Sequence, residues 1–158
     1  MAEIKYGLRE GEGRGKEYPV AASQYFHRLG GHFCYLAAGN VTLVASTTTS
    51  IMGWAEVPKD ASGYSCWKSS ATAEADKVFV ITGLDNTYEM PVDEANASVA
   101  ASFRGHGAGL VPGGSTYTTI VKARIGGTTS ASPVTVVGVD VANKTVLVKI
   151  KPKSFQGV

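Results

Sequence analysis

The sequence predicts an all-β fold: a single compact β-barrel or β-sandwich, of the jelly-roll or tulip-like kind, with an extended N-terminal arm. Three observations predict it. Short runs of β-branched and aromatic residues recur along the chain, with turn-forming residues between them. The 158 residues and 44% apolar content suit one domain whose core needs no disulfide or metal. The first nineteen residues differ from the rest, which predicts a flexible arm at 1–19 and a β domain at 20–158.

The predicted arm combines glycine with balanced charge. Four glycines are interleaved there with four acidic and four basic side chains. Because glycine leaves the backbone unrestrained, we expect neither a helix nor a strand, and a segment that is flexible when alone in water. Ile4, Tyr6, Leu8 and Tyr18 are apolar side chains through which the arm can dock on a neighbour. Deleting residues 1–19 is therefore expected to leave the β domain folded.

The first half of the domain is predicted to contain closely spaced strands. Residues 21–29 are compatible with a short helical turn that ends at Gly30-Gly31. Apolar runs at 33–37 and 40–45 predict a hairpin, because the Gly39-Asn40 pair between them favours a tight turn. Further strands are predicted at 51–57, 64–67, 77–82 and 116–125.

The C-terminal part is predicted to end in a second hairpin. Residues 134–139 and 145–150 form its strands, and residues 140–144 connect them. In the last strand Val146, Val148 and Ile150 are predicted to share one face, with Leu147 and Lys149 on the other. Two segments lack strand character: 93–103 is predicted to be a short helix or a loop, and the glycine-rich 105–109 a loop.

Charge and hydropathy exclude several classes of protein. A net charge of +2, without runs of like charge, gives no electrostatic signature for nucleic acid or an anionic membrane, so neither is expected as a partner. The N-terminus lacks the apolar core of a secretory signal, and no apolar stretch approaches the ~20 residues that span a bilayer. These features predict a protein made in a cytosol-like compartment. Cys34 and Cys66 are then expected to be reduced and buried, with a disulfide between them left open for a particle outside cells.

The search for chemistry predicts no enzyme, no cofactor and no metal. Residues 11–16 look superficially like a phosphate-binding loop, but no strand precedes them and no Ser or Thr follows Lys16. His106 has no acid at a fixed spacing to orient it. His32 and Cys34 form only half of a metal site. The candidate carboxylates for acid/base work are better explained as turn and cap residues; they are Asp76, Asp85, Asp93 and Glu94.

One set of segments resembles the capsid decoration, or cement, proteins of tailed bacteriophages. It consists of Ile51-Met-Gly-Trp-Ala55, the run Gly83-Leu-Asp-Asn-Thr-Tyr-Glu-Met-Pro91, the glycine-rich loop and the closing hairpin, and it covers about residues 45–152. The resemblance implies a structural virion protein that binds the outside of an expanded capsid as a homotrimer. Its partner would be the major capsid protein, whose neighbouring subunits it cements, after synthesis in the host cytoplasm.

In such proteins extended N-terminal arms reach over neighbouring subunits. The resemblance therefore assigns the capsid contacts to the arm, through Ile4, Tyr6, Leu8, Arg9, Arg14, Lys16 and Tyr18. The alternative is a carbohydrate- or surface-binding β-sandwich module of a phage particle, which would use Trp54, Trp67 and Tyr64. Aromatic side chains on short strands are more often part of the core.

Overall fold

The structure is a computed structural model that describes residues 6–26, 32–44, 49–56, 67–94, 98–111, 122–125 and 132–156. Those ranges contain thirteen strands and two short 3-10 turns, at Ala101–Phe103 and Pro152–Ser154. The strands are β1 Gly7–Glu10, β2 Gly15–Pro19, β3 Tyr25–Phe26, β4 His32–Ala37, β5 Asn40–Leu43, β6 Gly53–Ala55, β7 Trp67–Lys68, β8 Lys77–Ile81, β9 Thr87–Pro91, β10 Gly107–Val111, β11 Lys122–Arg124, β12 Val134–Asp140 and β13 Thr145–Ile150. The predicted all-β class is confirmed.

Two antiparallel sheets make up the body and pack together, as in a β-sandwich. The six-stranded sheet has the order β1-β9-β13-β12-β10-β11, and the five-stranded sheet has the order β2-β8-β6-β4-β5. A separate pair, β3 with β7, lies beside the second sheet. Within the described residues neither sheet closes into a barrel. No described helix is long and apolar enough to cross a membrane.

Each sheet is curled, so that distant strands of the same sheet meet at one end. Val20, directly after β2, forms a parallel bridge with Val41 of β5, the opposite edge strand. Val92, directly after β9, forms the same kind of bridge with Ala123 of β11. Curling of this kind lets a short sheet enclose apolar side chains on its concave face.

The described part of the N-terminal segment contributes a strand to each sheet, so the expectation that it forms no strand is wrong. β1 pairs with β9 at the edge of the first sheet, and β2 pairs with β8 at the edge of the second. Residues 7–19, which we call the edge ribbon, therefore run antiparallel to residues 77–89 across both sheets. Glycine does not prevent this, because backbone pairing to an existing strand supplies the order that the local sequence lacks.

The core consists of two clusters of buried side chains. The larger lies between the sheets and is centred on Phe33, Trp54 and Tyr88. The smaller lies on the other face of the five-stranded sheet and includes Cys34 and Val80. Phe33 and Cys34 are adjacent on β4 and point into different clusters, since successive side chains alternate across a strand. The five-stranded sheet thus has buried side chains on both of its faces.

Both predicted hairpins are confirmed. β4 and β5 are joined by Ala38 and Gly39, with φ of 51° and 81°, as a two-residue turn of type I′ requires. The turn thus lies one residue earlier than the predicted Gly39-Asn40 pair, and Asn40 begins β5. β12 and β13 pair through the turn that follows Asp140. In that turn Asn143 donates backbone and side-chain hydrogen bonds to Asp140, which lower the pKa of its carboxyl. In β13 Val146, Val148 and Ile150 share one face, as predicted, and the structure shows that this face is buried.

Other local predictions are corrected. Part of the segment predicted as a helical turn is strand β3, because Phe26 is drawn into the second cluster. Part of the glycine-rich loop is strand β10, which pairs with β11 and β12. Its residues are small, which is compatible with close approach of the strands on both of its sides, β11 and β12. The segment predicted as a short helix or loop contains the 3-10 turn at Ala101–Phe103. Of the strand predicted at 116–125, only the end from Lys122 is described, as β11.

Candidate functional site

The edge ribbon is the part of the molecule to which the sequence assigned contacts, and its apolar side chains turn inward. Tyr6 and Leu8 are half-buried and pack against the larger cluster, while Tyr18 packs against the smaller one. Burial and the nearby Glu89 carboxylate raise the pKa of Tyr6. Ile4 lies outside the described residues. In the described part of the ribbon, the apolar side chains that were predicted to dock on a neighbour therefore make contacts within the chain.

The charged side chains of the ribbon differ in how firmly they are held. Arg9 donates from Nε to the Glu89 carboxylate at 2.7 Å, and Glu89 also accepts from the Thr145 hydroxyl at 2.7 Å. The Glu89 side chain is only 14% exposed, so this ion pair is partly shielded from water. Arg14 contacts Glu12 at 2.6 Å, but both side chains are largely exposed. A pair of that kind contributes little to stability.

Lys16 is exposed on β2 and lies over the ring of Tyr18, 5.3 Å from its centroid. The neighbouring Glu17 is exposed as well and points to the opposite face of the strand. Because Pro19 lacks a backbone N–H, it offers no donor to a further strand. Charge and proline at an edge are typical devices against pairing with further strands. β2 thus carries exposed charged side chains and a proline at the edge of its sheet.

Asn86 fixes the point at which the ribbon crosses from one sheet to the other. It is 5% exposed, accepts from the Glu12 backbone N–H at 3.1 Å and donates to the Glu12 carbonyl at 3.1 Å. Its Nδ2 also donates to the Tyr88 hydroxyl at 3.4 Å. A Cβ added to Gly11 or Gly83 would collide with this amide. Sequence analysis assigned no contact to Asn86, because the two glycine-flanked segments that cross here lie 74 residues apart in the chain.

A shallow cleft of about 310 Å³ opens beside this crossing. It is lined by Gly11, Glu12, Arg14, Thr82, Gly83, Leu84, Asp85 and Asn86. The run Gly83–Asn86 belongs to the motif that carries the phage resemblance. Its glycine and asparagine have a structural purpose here, because they let the two crossing segments approach closely. The segment at 11–16 crosses between strands and opens no helix, so it lacks the geometry of a phosphate-binding loop.

A row of exposed side chains crosses the five-stranded sheet next to the ribbon. Phe79 on β8 is 36% exposed, and Glu17 lies directly opposite it on β2. On the other side, Glu56 donates its backbone N–H to the Phe79 carbonyl and is exposed. Val137 and Val141, 39% and 53% exposed, are apolar positions of the β12–β13 hairpin. These side chains give the body contact area of mixed character.

The candidate metal ligands do not assemble into a site in the part of the chain that the structure describes. Cys34 is a free, buried thiol, as predicted, and burial raises its pKa. Its Sγ lies 3.6 Å from the Gly53 carbonyl. His32 is buried against Phe26, with ring centroids 5.7 Å apart. His106 is exposed beside Phe103, and Cys66 and His27 lie outside the described residues.

The tryptophans do not form a sugar-binding platform. Trp54 is 2% exposed and stacks on Tyr88 at 5.6 Å and 18°, with Phe33 edge-on to it at 4.9 Å. Trp67 is half-buried against Phe26 at 5.4 Å. The expectation that the aromatic residues belong to the core is confirmed for Trp54, and Tyr64 lies outside the described residues. The carbohydrate-binding alternative loses its main stacking residue.

The candidate carboxylates have structural partners. Asp76 accepts from the Ser70 backbone N–H at 2.7 Å. Asp93 accepts from Arg124 at 3.0 and 3.2 Å, which ties the segment after β9 to β11. Glu94 accepts from the Val99 backbone N–H and from Lys144, and these contacts lower its pKa. Asp85 is exposed in the turn between β8 and β9. Asp76 and Glu94 are thus turn and cap residues, as predicted.

No family model matches the chain, and no curated protein matches it.

Proposed function

We propose that the chain is a structural virion protein that binds the outside of an expanded phage capsid as a trimer and cements neighbouring major capsid subunits. The observation that carries the proposal is the edge ribbon, which extends along both sheets and presents charged side chains outward. The segments that resemble cement proteins supply the choice of partner. They lie where the ribbon crosses between the sheets, at Gly83–Asn86, and in the core strand that bears Trp54.

The body supports this proposal because it is filled by side chains. The aromatic cluster of Phe33, Trp54 and Tyr88 occupies the space between the sheets. A cement protein acts through added interface area, and for that purpose a stiff body is an advantage, since little conformational entropy is lost when it binds. The exposed Phe79 and Val137 provide apolar contact area, and the charges around them provide specificity.

The mechanism is a linkage effect. A protein that binds the expanded lattice and not the unexpanded one stabilises the expanded state by its binding free energy. Each copy that contacts two capsid subunits resists their separation. Because the exposed charges of Arg14 and Lys16 are screened by salt, the contribution of the ribbon to binding falls as ionic strength rises.

The proposal is tested by light scattering and by co-sedimentation with expanded and unexpanded phage shells. A trimer that pellets with expanded shells only is the expected result. Charge reversal in Arg14→Glu/Lys16→Glu should weaken that binding. Lys122→Glu is the matched control, because Lys122 is exposed on β11 at the opposite edge of the six-stranded sheet. A monomer that leaves expanded shells unbound at low and moderate salt would overturn the proposal.

A further inference from the structure

The two halves of the edge ribbon are attached unequally. β2 keeps a continuous register with β8, and backbone hydrogen bonds extend the pairing at both ends, from Thr82 to Arg14 and from Val20 to Asp76. Val20 is 1% exposed, and the next residue donates its N–H to Val41. The second half of the ribbon is therefore anchored to the rest of the sheet beyond its own pairing.

β1 is held by fewer contacts. Its register with β9 shifts between Leu8 and Glu10, which leaves Arg9 in a bulge. Leu8 is only half-buried, and Arg9 and Glu10 are exposed. Arg9 forms an ion pair with Glu89 of β9. Segments with short pairing and little buried apolar surface open at a low free-energy cost relative to global unfolding.

β1 also covers part of the aromatic cluster. Gly7 is buried with φ of +130°, and a Cβ placed there would lie 3.2 Å from the Trp54 indole nitrogen. A side chain at this position would hold β1 away from the indole. Strand β9, with Tyr88 stacked on Trp54, has β1 as its partner on that side. Closure of β1 thus shields both an indole and a strand edge.

Asn86 separates the two halves. Its amide pairs with both backbone groups of Glu12, as a strand residue would. Opening that begins at the N-terminus must break this pair before it reaches β2. Gly11, with φ of +109°, gives the chain a bend directly before the pair.

We propose that β1 is a strap that opens and closes on β9 and Trp54 while β2 stays paired, with the Asn86–Glu12 pair as the boundary. The open state frees the edge of β9, which can then accept a strand from another chain by backbone pairing. The inference concerns the isolated chain and does not depend on the proposed function. It identifies β1, Gly7–Glu10, rather than the whole ribbon, as the part that can leave the body.

Native-state hydrogen exchange of the full chain tests the proposal. The paired β1 amides should exchange roughly tenfold or more faster than the paired β2 amides, because they open separately. Arg9→Ala should accelerate amide exchange in β1 by roughly three- to tenfold and leave amide exchange in β2 unchanged. Lys16→Ala is the matched control: it removes an exposed cation from β2 and should change neither strand.

Two further measurements distinguish a strap from general loosening. Asn86→Ala should let opening spread, so that amides at the start of β2 also exchange faster. In a Trp67→Phe background, Arg9→Ala should increase acrylamide quenching of Trp54, because its indole becomes accessible. If β1 and β2 are equally protected and respond equally to Arg9→Ala, the ribbon opens as one unit and the proposal is wrong. It is also wrong if Arg9→Ala leaves both β1 exchange and Trp54 quenching unchanged.

Discussion

Removal of residues 1–19 tests whether this segment is dispensable for folding or is a stabilising part of the two sheets. The composition of this segment predicts a dispensable arm, whereas its pairing predicts a large loss of stability. β2 forms five residue pairs with β8, and two further backbone hydrogen bonds flank them. The truncation deletes these pairs together with β1, and it leaves β8 and β9 as unprotected edges.

The size of the effect follows from the number of pairs lost. At about 1 kcal/mol net for each backbone hydrogen bond, the pairing of β2 contributes roughly 5 kcal/mol. Loss of the half-buried Leu8 and Tyr18 side chains adds about 1–2 kcal/mol. Since domains are stable by about 5–15 kcal/mol in total, the truncated chain should be unfolded or close to its midpoint without denaturant.

Urea titration followed by circular dichroism and by tryptophan fluorescence measures the effect. A truncation of residues 1–10, which removes β1 and keeps β2, is the matched control and should cost about 2–3 kcal/mol. The reasoning is refuted if the 1–19 truncation unfolds cooperatively at the urea midpoint of the full chain. That result would mean that the ribbon rests on the sheets without stabilising them.

Three further predictions concern single positions. Asn86→Ala should lower the free energy of unfolding, measured by urea titration, by about 2 kcal/mol, because it removes three hydrogen bonds. Asn40→Ala should lower the free energy of unfolding by under about 0.5 kcal/mol, because the Asn40 Oδ1 is buried without a partner. Equal losses in Asn86→Ala and Asn40→Ala would contradict this account. Gly53→Ala should lower the free energy of unfolding by about 3 kcal/mol, because the added Cβ collides with a backbone carbonyl of β8. Gly13→Ala is the control and should be near neutral, because a Cβ there has only one ordinary contact. Similar urea midpoints for the two variants would refute the close approach at Gly53. Burial raises the pKa of Tyr88 to about 12, so its neutral form favours the folded state, and that stabilisation is present below pH 10 and lost as the pH rises towards 12. Tyr88→Phe should therefore flatten the fall in stability between pH 10 and 12, and an unchanged slope would show that Tyr88 does not cause it.

The elements that the sequence predicted well are those with local causes. The β4–β5 and β12–β13 hairpins depend on neighbouring runs and on short turns, so their signals lie within a few residues of each other. The burial of Val146, Val148 and Ile150 follows from strand alternation. Asn86 could not be given a role in this way, because its partner Glu12 lies 74 residues away.

The sequence by itself determined that the chain forms short strands, which of them pair as hairpins and which side chains of β13 share a face. Only the tertiary structure decided what the N-terminal segment does. When a glycine-rich segment is considered alone, it is predicted to be flexible, because glycine restricts the backbone least. In the folded chain Gly7 lies against the indole of Trp54, and Gly15 lies so close to Val80 that a side chain would meet its carbonyl. These glycines are needed for close packing against strands that lie far away in the sequence, and no local pattern carries that information.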